Sequence, residues 1–397
     1  SAAKQNFAIT EIPDLNFSTD VTPNSVTGSH TDTGRQGLLF RGNYTYDNKY
    51  MVQASIRGDW SAKFAKGNRL GVFPAISGGW KISEEDFMAS TRGVLDNLKL
   101  RASFGILGND AISDFLYLQG IALSSKPNVV INGVPSQSLS TSSVPNRDIT
   151  WETTTTYNIG ADASLWNRLL TVEADAFYKV TTDILQSQSG QMPPSIGGNY
   201  ASIINGGVID VRGFELVLGH SNQLGDFKYN VSANTSFARN RYISTNDSDN
   251  IPSYQSKIGQ PLGGVLGYVS DGLYQSEEEI DNSPWPWEQR PRVGDIKYVD
   301  LSGNGIVDYE DKAFTGRSNR PKLTAGLNLS MAWRNFDFST LITGAAMFDI
   351  SLTGTYYNGM DDNTIFVVAN YSAKTGLITG YTVTKGIKNI KDLSDGG

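Results

Sequence analysis

The 397-residue sequence contains no cysteine. Disulfides, thiolate metal sites and cysteine nucleophiles are excluded together. Histidine is almost absent: only His30 and His220 occur, far apart and without local partners. A histidine-based catalytic centre or a His-rich zinc site has nothing to be built from, although carboxylate chemistry stays open. There is no basic excess either. Lys and Arg total 33 against 40 Asp and Glu, a net charge of -7, so the chain has no electrostatic footprint for nucleic acid. No uninterrupted apolar run approaches the roughly 18 residues of a membrane helix. That absence leaves membrane strands open, because they hide their apolar face by alternation. No signal peptide stands at Ser1, and the expectation is a mature chain or a fragment.

The sequence does contain 41 Gly, 18 Tyr and 7 Trp, a composition suited to many turns and to interface aromatics. Its clearest unit runs from Leu323 to Ala346. Leu323, Ala325, Leu327, Leu329, Met331 and Trp333 alternate with small or polar residues, Arg334-Asn335 makes a turn, and Phe336 and Phe338 resume the alternation. A period of two places the large apolar groups on one face. Each arm is about ten residues, the length that a tilted strand needs to cross a bilayer. Trp333 and Phe336 flank the turn, where an interfacial aromatic belt falls.

The same unit recurs along the chain. Residues 1–33 are polar and weakly patterned, a loop or partial strand. Gly34 to Asp47 reads as a strand, with a break in phase expected near Gly42. Tyr50 to Arg57 follows a tight turn at Asp47-Asn48-Lys49. Pro74 predicts an irregularity between Val72 and Ile82, and Ser83-Glu84-Glu85-Asp86 could cap a helical turn. Leu98 to Ile106 alternates cleanly against Lys99, Arg101 and Ser103. Residues 108–150 are Ser-, Asn- and Pro-rich, with one short strand expected inside. Further arms follow Trp151, Arg168 and Gly225-Asp226, and a phase slip predicts a bulge at Gly213. About ten crossings result. Their short turns fall at one end and the connections 61–70, 108–150, 181–206 and 241–322 at the other, the signature of bacterial outer-membrane barrels. Only 83–97 is a longish connection on the short side. Strands with polar inner faces in lipid need a closed sheet, because an open edge leaves backbone groups unpaired. Asp162, Glu173 and Asp175 fall on the inner face, as a polar lumen or as solvated strand faces.

Several stretches carry a resemblance. Asn43-Tyr44-Thr45-Tyr46-Asp47-Asn48-Lys49-Tyr50, Arg57 to Phe64, Gly71-Val72-Phe73-Pro74 through Trp80, Asn97 to Gly105 with Gly108-Asn109, Asp271-Gly272-Leu273-Tyr274 and Gly294 to Asp300 occur in this order. They resemble segments of the SusC/RagA family of TonB-linked outer-membrane proteins of the Bacteroidetes; Trp60 departs from a usual glycine. The resemblance covers about residues 34 to 350. It implies an all-β chain forming the C-terminal portion of an antiparallel transmembrane β-barrel of about 22 strands. The remaining strands, a plug domain and a TonB box would lie outside this sequence. It further implies a non-enzymatic nutrient importer with long extracellular loops, driven through the TonB complex. A SusD-like surface lipoprotein would form the lid, and the cargo would be a glycan or peptide. Residues 351–397 then form an outer loop and an irregular tail without a convincing closing strand.

Two loop motifs stand out. Asp300-Leu301-Ser302-Gly303-Asn304-Gly305-Ile306-Val307-Asp308-Tyr309-Glu310-Asp311 has EF-loop spacing. Asp300, Ser302, Asn304, Asp308 and Asp311 take ligand positions, Ile306 offers its carbonyl and Gly305 the sharp turn. A structural calcium ion is expected there. The competing reading is an Asx-rich turn held by its own side chains. Trp285-Pro286-Trp287, beside Glu277-Glu278-Glu279, could present Trp285 and Trp287 to a sugar or a partner, or pack on itself. Asp361-Asp362 and Glu84-Glu85 read as solvated loop charges rather than hydrolase acids. Two other architectures remain: a passive pore or adhesin closed from about ten strands, and a secreted calcium-binding β-rich sugar-binding module.

Overall fold

The computed structural model describes residues 32–123, 128–136, 138–141, 145–187, 203–247, 250–286, 290–350, 365–371 and 378–385. Its framework is one ten-stranded antiparallel sheet in which every strand neighbours the next in sequence. The strands are β1 (Arg35–Tyr46), β2 (Tyr50–Ser61), β3 (Leu70–Lys81), β4 (Leu95–Asn109), β5 (Glu152–Leu165), β6 (Leu170–Ser187), β7 (Ile203–Leu224), β8 (Phe227–Ser244), β9 (Leu323–Trp333) and β10 (Phe336–Ala346). The ten expected crossings are all present. β1 and β10 are the two edges and do not pair with each other. A barrel closed from these strands alone would pair them, so the sheet has the form of a barrel wall.

The short turns are strained into the left-handed region, as tight hairpins require. Asp47 and Asn48 have φ of 48° and 54°, Trp166, Asn167 and Arg168 of 52°, 59° and 62°, and Arg334 of 53°. At this end Tyr46, Tyr50 and Trp80 stack in a row with ring centroids 6.4 Å apart. Glu85 pins the row. Its carboxylate accepts from the Tyr50 hydroxyl at 2.6 Å and from the Trp80 indole N–H at 2.9 Å. Short 3-10 turns do follow, at Ile82–Glu84 and Asp86–Thr91, but neither is capped by a side chain.

Register differs from the sequence reading at three places. β1 pairs with β2 without interruption through Gly42. β2 pairs with β3 straight through Pro74, opposite Ile56. The proline is tolerated because the β3–β4 ladder begins only at Ala75, so its missing N–H removes no bond there. At Gly213 the register is likewise regular, and the irregularities lie instead between Thr181 and Ile184 and between Val208 and Ile209. What looked like a slip is a change of chemistry on an unchanged face, where Phe214 gives way to Arg212 and Asp210. The described residues of 108–150 hold four short strands rather than one. Val129–Ile131 pairs with Val134–Ser136 inside the pair Ile121–Leu123 and Leu139–Thr141. In the tail, Ile365–Tyr371 pairs with Ile378–Lys385, apart from the large sheet.

The sheet turns one face of exposed Leu38, Phe40, Tyr44, Val52, Ile76, Ile159, Phe214 and Leu218 outward. Its buried packing lies elsewhere, at the long-loop end. Phe64, Phe73, Ile149 and Trp151 form a core against Ile106, Ile112, Leu116, Leu185 and Ile203. Trp151 meets Phe64 at 5.2 Å and the edge of Phe73 at 5.4 Å, and its indole donates to the Arg69 carbonyl at 3.2 Å. Phe73 occupies space that only glycine leaves free: a Cβ on Gly108 would come within 1.9 Å of the Phe73 ring, and one on Gly71 within 2.3 Å. Both glycines lie in the family-like motifs. Trp151→Ala is expected to destabilise this mouth by about 3–5 kcal/mol, the usual cost of deleting a buried large aromatic. Limited proteolysis should cut the 110–150 loop in the variant, while heat-modifiable migration of the inserted barrel is retained.

Candidate transport surface and loop sites

The inner face of the sheet carries its polar chemistry. Lys99, Asp162 and Glu173 lie in one cross-strand row, and Arg101, Gly160, Asp175 and Glu215 in the next. Arg101 is the centre of this wall. Its guanidinium donates to Asp162 at 2.9 and 2.7 Å and to Asp175 at 3.1 and 2.9 Å. The fork geometry of Arg matches both carboxylates at once. Gly160 leaves room for it, since a Cβ there would stand 2.4 Å from Asp175 Oδ1. Glu173 is exposed. A hollow of about 400 Å³ beside the cluster is lined by Asn43, Gln53, Ser77, Lys99, Arg101 and Asn158, among others. Alternation in the sequence places Asp162, Glu173, Asp175 and Arg101 on this face. It could not join Arg101 to its acids, because they sit 61 and 74 residues away.

The long connection between β8 and β9 is a folded unit. Gly264–Tyr268 pairs with Lys312–Ser318, and Ser270–Leu273 with Ile296–Tyr298. Tyr274, the last residue of one family-like motif, is buried where it joins the next. Its N–H donates to the Asp295 carbonyl, its carbonyl accepts from Gly294 N–H, and its hydroxyl donates to the Pro284 carbonyl. Ser276 caps the helix Glu277–Asp281 by accepting from Glu279 N–H. The acidic run is tied down: Arg290 bridges Glu277 and Asp281, and Lys297 bridges Glu279. Trp285 is half-buried, and its carbonyl accepts from Val307 N–H at 3.2 Å. Trp287 lies outside the described residues.

The 300–311 loop is closed by its own side chains. Asp300 accepts from Gly303 N–H at 2.6 Å, Gly305 N–H at 2.8 Å and the Ser302 hydroxyl at 3.2 Å. Asn304 accepts from Ile306 N–H, and Asp308 from Glu310 N–H. Asp311, fully buried, accepts from Leu301 and Ser302 N–H through one oxygen and from Asp308 N–H through the other. The loop therefore fits calcium only in part. The residue types and the sharp turn suit calcium, but both the first carboxylate, Asp300, and the closing one, Asp311, are engaged by donors of the loop itself. Among the described residues no group of three or more His, Cys, Asp or Glu is arranged to hold a metal ion.

An antiparallel sheet with an apolar outer face, a polar inner wall and its loops sorted to one end defines an outer-membrane β-barrel protein. The family model for the β-barrel of TonB-dependent receptor-like proteins matches residues 4–390, and the chain belongs to that family. It is 30% identical over 307 residues to the TonB-dependent receptor SusC of Bacteroides thetaiotaomicron, covering 75% of this chain and 30% of SusC. A TonB-dependent receptor of Formosa agariphila is 29% identical over 353 residues, with 85% and 35% covered. The solved RagAB peptide importer superposes with a TM-score of 0.63 at 21% identity, covering 84% of this chain and 36% of that one. This last likeness shows the fold alone. The chain spans about a third of the length of the relatives it matches. The family is one of receptors rather than enzymes.

Two measurements follow from the geometry. Arg101→Ala leaves Asp162 and Asp175 facing each other; with the cluster part-exposed, the loss is about 1 kcal/mol, and Arg101→Lys, which lacks the fork, should recover only part of it in urea unfolding from detergent. Burial on its own raises the Asp311 carboxyl, but the backbone N–H bonds from Ser302, Asp308 and Leu301 outweigh it and hold the group below its ordinary 3.8. A carboxyl lowered by folding stabilises above its ordinary value and loses that contribution as pH falls towards the folded value. Proteolysis of 300–311 by an acid-active protease should therefore rise below about pH 4, and less so in Asp311→Asn, which starts out loosened.

Proposed function

We propose that this chain is the C-terminal barrel portion of a SusC-like, TonB-dependent importer. It would take up glycan or peptide fragments across the outer membrane with a SusD-like lipoprotein over the long-loop end. The observation that supports this most is the pairing of a polar inner wall, built on Arg101, with a packed, family-like loop end above it. A channel wall for hydrophilic cargo needs hydrogen-bonding groups that are held rather than mobile. SusC is named a TonB-dependent receptor and RagAB a peptide importer; either cargo class suits the mixture of Asn, Gln, Ser, Lys and Arg lining the hollow. The unpaired edges β1 and β10 disfavour a passive ten-strand pore, and the outward apolar face disfavours a secreted sugar-binding module.

The test uses the complete receptor. Cells carrying it should accumulate labelled oligosaccharide or oligopeptide only when TonB is functional. Deleting the tip at 281–288 should weaken uptake or lid docking and leave insertion intact. Uptake that persists without TonB would overturn the reading.

Calcium at the 300–311 loop is part of the same proposal. Asp300, Ser302, Asn304, Asp308 and the Ile306 carbonyl would hold the ion with Asp311 at the closing position, Asp300 and Asp311 sharing or giving up the backbone bonds they now accept. Such an ion would be structural, fixing the loop close to β9. Protease resistance of the loop should fall when a chelator is added; equal resistance with and without it sinks the calcium assignment.

A further inference from the structure

The outward face of β7 and β8 ends in a row of arginines. In β8 the outward positions Phe227, Tyr229, Val231, Ala233, Thr235 and Phe237 are mostly apolar, and the next two are Arg239 and Arg241. In β7, Leu218, Leu216 and Phe214 are followed on the same face by Arg212 and Asp210. The register is unbroken across this change, with Phe214 opposite Phe237, Arg212 opposite Arg239 and Asp210 opposite Arg241. Phe214 and Phe237 stack at 5.8 Å, and Tyr178 on β6 lies opposite Arg212. From Phe227 to Phe237 the strand rises about 34 Å, or about 26 Å along the membrane normal at a usual tilt. That matches the apolar band of an outer-membrane barrel, about 25 Å tall. The aromatic row marks the outer interface, and the arginines stand one pleat above it.

Their charges are not balanced. Asp210, 1% exposed, accepts from Arg241 at 2.9 and 3.3 Å and from Arg212 at 2.9 Å. Arg239 is exposed and has no acidic partner among the described residues. It nonetheless sits directly across from Arg212, an arrangement of like charges that destabilises a sheet unless an anion lies between them. The guanidinium fork is shaped for phosphate oxygens. We propose that Arg212, Arg239 and Arg241 form a site for the phosphate of an anionic lipid headgroup in the outer leaflet. Acyl chains of that lipid would run down the Phe214–Phe237 face, which is continuous with the arginines. A free anion or a docked protein would have no use for that apolar continuation. The site rests on the outward face being the lipid face.

The experiment takes the complete receptor, delipidated in mild detergent, and adds bis-phosphorylated lipid A or its dephosphorylated form, with retention read by native mass spectrometry. Inorganic phosphate at equal concentration is the free-anion arm. The unmodified receptor should retain the phosphorylated lipid at least ten-fold better than the dephosphorylated one. Arg239→Gln breaks no ion pair and should remove most of that preference; Arg212→Gln with Arg239→Gln should abolish it, with heat-modifiable migration unchanged in both. Equal retention by the unmodified receptor and the double variant overturns the site, as does displacement of the lipid by inorganic phosphate. Loss of a surface partner by the variants with lipid retention unchanged also overturns it. If the unmodified receptor fails to insert into outer membranes, the membrane reading falls as well; normal insertion with equal retention refutes only the headgroup site.

Discussion

Backbone pairing in a medium without water is the constraint on which this structure depends. A strand in lipid cannot leave an N–H or C=O unpaired, so each of the ten strands runs antiparallel to its sequence neighbour and shares a ladder with it. Alternation then follows from the pleat rather than from any further requirement. Side chains at odd and even positions reach different solvents, and the sequence must satisfy both at once. The same constraint explains the tolerance of Pro74, whose missing donor falls where β3 has no ladder to β4 to lose.

Above the lipid the constraint relaxes and ordinary packing takes over. The long-loop end holds the aromatic core of Phe64, Phe73, Ile149 and Trp151, and the β8–β9 connection holds Tyr274, Ile280 and Val307, all buried. Two glycines, Gly71 and Gly108, give up their side-chain volume to Phe73. The family-like motifs thus have physical work at the mouth: they fix where the loops leave the wall. Beneath them, Arg101 holds two carboxylates in one orientation, which keeps the inner wall polar and ordered while leaving Glu173 and Glu215 exposed.

The 300–311 loop shows how spacing and geometry can diverge. Its ligand-type residues occur where calcium would require them, and Gly303 and Gly305 adopt φ of 75° and 84° as a sharp turn demands. Yet the carboxylate that would close the ion shell instead closes the backbone, accepting from Leu301, Ser302 and Asp308. Short-range spacing is a property of the chain; the direction in which Asp311 points is a property of the packing around it.

Strand number, the sides of the strands and the sorting of the loops were legible in the sequence, because a period of two and a tight turn are local facts. The Leu323–Ala346 hairpin closes where Arg334-Asn335 places its turn. Register against distant neighbours was not legible. Arg101 finds Asp175 across β5 only when the intervening strands are aligned, and 108–150 resolves into paired strands only when its ends meet. At Gly213, polar residues after Phe214 imitate a slipped phase, since a one-dimensional pattern cannot tell a shifted strand from a strand that has left the lipid. By itself the sequence determined the alternating strands, the short turns and the membrane-crossing class. Tertiary structure alone decided which charges meet, which carboxylates are already spent and where the apolar face ends, because these depend on contacts between residues far apart in the chain.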